Sequence, residues 1–190
     1  MGASHLTITK FFLKPLVILT VIGVGLISCN DKKNSGNKDI EINKEPTIST
    51  FYLIRHAEKD RTDPNNADPE LNQDGLGRAM NWANIFDNIP LDALYSTNFE
   101  RTRMTAAPVS VKQDLDIDYY DPSTMDIETF KKDNSGLQVL IVGHSNTTPN
   151  MVNKLLGEEK YSPMDDTNNG ALFIVQIVDG VATDIRLQIN

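Results

Sequence analysis

Both histidines beyond residue 28 follow apolar runs: His56 in FYLIRHAEKD (51–60) and His144 in LQVLIVGHSN (137–146). Each imidazole is thus predicted at the end of a strand, His56 with Arg55 beside it. A third run, LDALYS (91–96), leads to Ser96 and then to Arg101, on the first turn of a helix predicted from Phe99 to about Val111. Taken alone, Arg55-His56 also fits a strand leaving a core into a charged turn. The three strand ends together say more, because reactive groups in open α/β sheets collect beyond the carboxyl ends of the strands. Two imidazoles and two guanidiniums on one rim make a pocket for a dianionic phosphoryl group. Arginine forks phosphate oxygens and stays charged at any working pH. A neutral imidazole can attack phosphorus and become phosphorylated, while a protonated one can donate to the equatorial oxygens. Gly143 lets the backbone come close, and helix N-termini after the strands add N–H donors. Zinc normally takes three protein ligands, and two guanidiniums repel a cation, so neither a metal nor a cofactor is expected.

The elements that must position these groups alternate. STFYLIR (49–55) is a buried strand, and Asn72 caps a helix through residues 73–89, stopped by Pro90. Leu76, Met80, Ala83 and Phe86 recur at helical spacing there, and Met80, Trp82 and Phe86 read as core. LDIDYYD (115–121) is a weaker strand, followed by a helix from about Met125 to Lys132. The run at 137–143 is apolar enough for the centre of a sheet. A helix through residues 149–157 ends on Gly157. ALFIVQIV (171–178), Asp179-Gly180 and VATDIRLQI (181–189) read as a hairpin with a tight turn. The expected fold is a three-layer α/β/α sandwich, its central sheet mostly parallel with an antiparallel edge hairpin.

The first 28 residues read differently. Lys10 and Lys14 precede an uncharged, mostly apolar run from Pro15 to Ser28, too short to span a bilayer and patterned as an export signal. It ends in Leu26-Ile27-Ser28-Cys29, which resembles a bacterial lipobox, cut before the only cysteine of the sequence, with lipid then attached to it. Residues 29–46 read as a polar, flexible tether, and 47–190 as one domain. The expectation is a protein exported and held on a bacterial membrane through Cys29, facing the periplasm or the exterior. Formal net charge is −8, and removal of residues 1–28 takes away two lysines and no acid. An acidic surface argues against nucleic acid as a partner. An anionic substrate must then be held by local cations.

LIRHAEK (53–59), YSTNFERTRMTA (95–106) and LIVGHSN (140–146) resemble, in this order, the three signatures of the histidine phosphatase superfamily, the phosphoglycerate mutase-like family. ELNQDGLGRA (70–79) also resembles the segment opening that family's first helix. The resemblance implies a phosphatase acting through a covalent phosphohistidine, with His56 as nucleophile and Arg55, Arg101 and His144 completing the phosphate pocket. Ser96, in the family's serine position, is expected to shape the loop. A mutase-type phosphoryl transferase and a non-catalytic phosphate-binding module are the alternatives. Substrate would be a small phosphorylated molecule or a phosphoprotein. The family's proton donor commonly follows the third strand, where YYDPSTMDIETF (119–130) offers no obvious match. Glu58 is the first choice for that donor, ahead of Asp60, Asp63 and Asp68, although EKDRTDPNNADPE (58–70) is also what a solvated loop looks like. Ser145 is a further candidate for substrate contact; Lys59 and Arg103 are expected in solvent.

Overall fold

The computed structural model describes residues 45–189. The proposed signal (1–28), Cys29 and the tether as far as residue 44 lie outside the described residues.

Six strands form one sheet in the order β3-β2-β4-β1-β5-β6. They are β1 (Ile48–Arg55), β2 (Ala93–Ser96), β3 (Ile117–Tyr119), β4 (Gln138–Gly143), β5 (Ala171–Val178) and β6 (Val181–Gln188). β3, β2, β4 and β1 run parallel, β5 is antiparallel to β1, and β6 closes the edge as a hairpin. The hairpin turn places Asp179 at φ 49° and Gly180 at φ 87°, the two positive values that a two-residue turn of primed type requires. The fold class is therefore the expected mixed α/β sandwich.

Helices α1 (Gln73–Ile85) and α2 (Glu100–Gln113) cover one face, where Trp82, Phe86, Ala106 and Val109 pack on Ile54, Leu140 and Val142. Helices α3 (Ile127–Asp133) and α4 (Thr147–Leu156) cover the other, with Phe130, Val152 and Leu155 on Phe51, Leu53 and Phe173. β1 and β4 thus send alternate residues into two cores, as strands buried on both faces must.

Asn72 caps α1 as expected, accepting from Gly75 N at 2.9 Å. The helix ends at Ile85, earlier than Pro90 suggests, and a single 3₁₀ turn (86–88) carries the chain on. Its inner face also differs from the expected stripe. Met80 is 56% exposed and Leu76 40%, while Ala79, Trp82, Ala83 and Phe86 are buried. Gly75 sets this phase: a Cβ there would stand 2.1 Å from the Glu58 carbonyl oxygen. The helix start therefore lies directly on the segment after β1, and each neighbour in sequence is turned by about 100°. Leu76 and Met80 follow outward.

Candidate active site

Parallel pairing of β1 with β4 sets Arg55 opposite Gly143. The ladder continues one step, His56 N–H donating to Gly143 O at 2.9 Å. His56 therefore lies beside His144, with ring centroids 5.4 Å apart and planes at 66°. Gly143 is needed at this junction, since a Cβ would meet Thr148 Oγ1 at 2.8 Å, Thr147 Oγ1 at 3.0 Å and the Tyr120 hydroxyl at 3.1 Å. Asn169 Nδ2 ties the His56 carbonyl down at 2.8 Å.

Hydrogen bonds fix both ring tautomers. His56 Nδ1 lies 2.7 Å from Ala57 O; a carbonyl only accepts, so Nδ1 carries the proton and Nε2 keeps its lone pair. His56 is 3% exposed. Burial, with Arg55, His144 and Arg101 adding to it against the Ala57 hydrogen bond, pushes its pKa down to about 3. The imidazole is neutral across the physiological range.

His144 is set by a chain of hydroxyls. Thr102 Oγ1 donates to the Thr97 and Phe99 carbonyls at 2.7 and 2.9 Å. Thr97 Oγ1 spends its proton on Thr102 Oγ1 at 3.1 Å, and so accepts from His144 Nε2–H at 2.9 Å. From the other side Arg101 Nη2, which only donates, is 3.5 Å from His144 Nδ1. Both constraints leave Nδ1 as the bare nitrogen. Burial and then the Arg101 and Arg55 charges, opposed by Asp68, take the His144 pKa to about 4. The second imidazole is thus neutral here, not the resting cation that donation to phosphate would need.

Arg101 lies over the Phe99 ring, 4.5 Å from its centroid, and Phe99 meets His144 edge-on at 5.0 Å. Its Nη1 pairs with Asp68 Oδ1 at 3.1 Å. Arg55, 1% exposed, is wrapped by the segment between α4 and β5: Nη1 donates to Asp165 O and Asn168 O, and Nη2 pairs with Asp166 Oδ1 at 2.5 Å. The Nε atoms of both arginines are buried without an acceptor among the described residues.

A cavity of about 390 Å³ brings together His56, Arg101, His144 and Ser145 with Lys59 and Asp166. Arg55 stands behind it, screened by Asp166. Glu58 departs from the role expected of it: both its oxygens are 2.9 Å from Arg78 Nε, and it does not line this cavity. Gly75 holds α1, and hence Arg78, directly under the Glu58 backbone. Asp60 and Asp63 accept from Thr62 N and Asn65 N within their own turns, as solvated loop residues do. Asp68 caps the start of α2 through Glu100 N at 2.9 Å. Ser96 is buried and donates to Thr97 O at 2.9 Å, a loop-shaping contact. Arg103 pairs with Glu100. Lys59, expected in solvent, lines the cavity. Thr97, Phe99 and Asp166 escape sequence reasoning. Thr97 lies inside a quoted motif, whereas Asp166 sits in a polar turn without any periodic signal. Among the described residues no three His, Cys, Asp or Glu side chains converge as metal ligands.

Residues 51–122, which include Arg55, His56 and Arg101, match the model of the histidine phosphatase superfamily (branch 1). Over this stretch the chain is similar to that superfamily. The match ends before His144, which the β1–β4 register brings to the same site. No curated protein sequence matches the chain. Solved structures that share the histidine phosphatase fold include the protein histidine phosphatase SixA complexed with tungstate, at TM-score 0.59 and 15% identity over 73% of this chain and 96% of that one. The alpha-ribazole phosphatase from Shigella flexneri gives 0.55 and 16% over 74% and 96%. Phosphoglycerate mutase from Bacillus anthracis str. Sterne gives 0.54 and 17% over 75% and 93%. At such identities the likeness is one of fold.

Proposed function

We propose that this domain is a phosphatase, working without a metal, that hydrolyses phosphate monoesters or phosphohistidine through a phosphorylated His56. One observation carries the reading. The buried His56 and the partly buried His144, each held in a defined tautomer, meet edge-on with ring centroids 5.4 Å apart in a cavity that Arg101 also lines, with Arg55 directly behind it. His56 Nε2 attacks phosphorus as the bond to the leaving oxygen breaks, and the Ala57 carbonyl supports the positive charge that develops on the ring. A bound dianion raises the pKa of a neighbouring imidazole. With substrate bound, His144 Nδ1 therefore takes up a proton from solvent, which converts the resting acceptor into a donor to the equatorial oxygens. Water then attacks the phosphohistidine, phosphate leaves, and His56 returns to its Nδ1–H form.

The substrate is a small phosphorylated molecule or a phosphohistidine-bearing protein, in keeping with the phosphatases that share the fold. The mutase alternative requires a second phosphorylated cofactor. The test is release of p-nitrophenol from p-nitrophenyl phosphate, with an acid-labile phosphoenzyme trapped on quenching; both must disappear in His56→Ala. Phosphate binding without turnover in the wild type identifies a binding module instead. Export and attachment through Cys29 are proposed on the Leu26–Cys29 motif. Lipid labelling that survives Cys29→Ser refutes that part alone.

A further inference from the structure

In-line displacement puts nucleophile and leaving oxygen on opposite sides of phosphorus. His56 is almost fully buried, so the leaving group points toward the open side of the cavity. Proton donors to that oxygen must stand at the mouth, and Glu58 does not. Two carboxylates line the cavity, Asp121 and Asp166. Asp121 is committed to its own turn: one oxygen accepts from Ser123 N at 2.8 Å and Ser123 Oγ at 2.6 Å. Asp166 is instead built into the phosphate site. One of its oxygens is on Arg55 Nη2 and the other on Arg61 Nη2, at 2.5 and 2.7 Å, and its side chain is 56% exposed. The flanking carbonyls of Asp165 and Asn168 also accept from Arg55, so the segment is strapped to the arginine that would bind the phosphoryl group.

We propose that Asp166 is the catalytic acid of this site, protonating the leaving oxygen as the phosphoryl group moves to His56. The inference rests on the phosphatase reading above. At rest Asp166 is a carboxylate: burial raises its pKa, but the Arg61 hydrogen bond and the Arg55 and Arg61 charges outweigh that and hold it below the ordinary range. A dianionic substrate reverses the balance, because it takes over Arg55 donors and adds like charge beside the carboxylate. Asp166 then takes a proton from solvent. In the first step the phosphorus–oxygen bond breaks, the His56 Nε2–phosphorus bond forms, and the Asp166 proton passes to the leaving oxygen. In the second step the Asp166 carboxylate accepts a proton from the water that cleaves the nitrogen–phosphorus bond, which restores the acid.

The test compares full-chain wild type, Asp166→Asn and Asp121→Asn on two substrates, one with a good leaving group (p-nitrophenyl phosphate) and one with a poor one (β-glycerophosphate). Asparagine keeps the shape of the Arg55 contact but has no proton to give. The expected result is a fall in kcat of about 100-fold or more on β-glycerophosphate for Asp166→Asn, a change of under about 5-fold on p-nitrophenyl phosphate, and loss of the basic limb of the pH profile. Asp121→Asn stays near wild type on both. An equal fall on both substrates, a rise on both, or the selective loss in Asp121→Asn instead overturns the assignment and leaves the phosphatase reading standing. So does wild-type turnover confined to p-nitrophenyl phosphate. A wild type inactive on both esters overturns this inference, and one inactive on a phosphohistidine substrate as well sinks the phosphatase reading with it.

Discussion

Lowering the pH from 7 to 5 should destabilise the domain before any ordinary carboxylate titrates. His56 and His144 have pKa values near 3 and 4 when folded, against about 6.5 in the unfolded chain. In this window the unfolded state binds more protons, so stability rises with pH and is lost on acidification. The loss begins near pH 6.5 and continues until the folded values are reached. Linkage gives about 2 kcal/mol between pH 7 and 5 for the nearly inaccessible His56. His144, less deeply buried, adds up to a similar amount, so the total is roughly 2–4 kcal/mol. For a domain of this size that lowers Tm by roughly 5–15 °C. Urea unfolding across this range, with His56→Asn/His144→Gln as control, measures it. The double variant should flatten the slope. A flat wild-type profile, an equally steep double variant, or imidazole resonances titrating near pH 6.5 would refute the reasoning.

Thr97→Val removes the acceptor that fixes the His144 tautomer. A lost hydrogen bond of this kind is worth about 1–3 kcal/mol, so kcat should drop about 10-fold or more with KM little changed, and Thr97→Ser should restore it. Glu58→Gln should leave kcat/KM within a few-fold while lowering stability by about 1 kcal/mol through the weakened Arg78 pair; a large kinetic loss returns Glu58 to the chemistry. Gly143→Ala forces a methyl against three hydroxyls and should cost about 1–3 kcal/mol together with most of the activity, read by thermal melting and steady-state assay.

Strand ends are the legible part of this molecule. Arg55, His56 and His144 terminate apolar runs, and a run that must be buried also dictates where it stops. Arg101 is legible for a related reason, in the first turn of a helix that follows a strand. Networks are not legible in that way. Thr97 gains its place only when β2 and α2 bring it to His144, and Asp166 only when its loop closes over Arg55. No periodicity marks either. The helix phase fails for a local reason: at 75 and 79 the small residues lie against the segment after β1, and sequence pattern ranks Leu76 and Met80 above them, although the approach of α1 to the Glu58 backbone decides the matter. Glu58 looks like an acid because it is two residues from His56, yet strand geometry sends it to Arg78.

The in-register union of β1 with β4 makes the backbone separation of His56 and His144 a property of the ladder. A half-assembled chain in which β1 has not yet slotted between β4 and β5 has no such pair at all. Recovery of phosphotransfer during refolding would therefore act as a clock for that single zippering event.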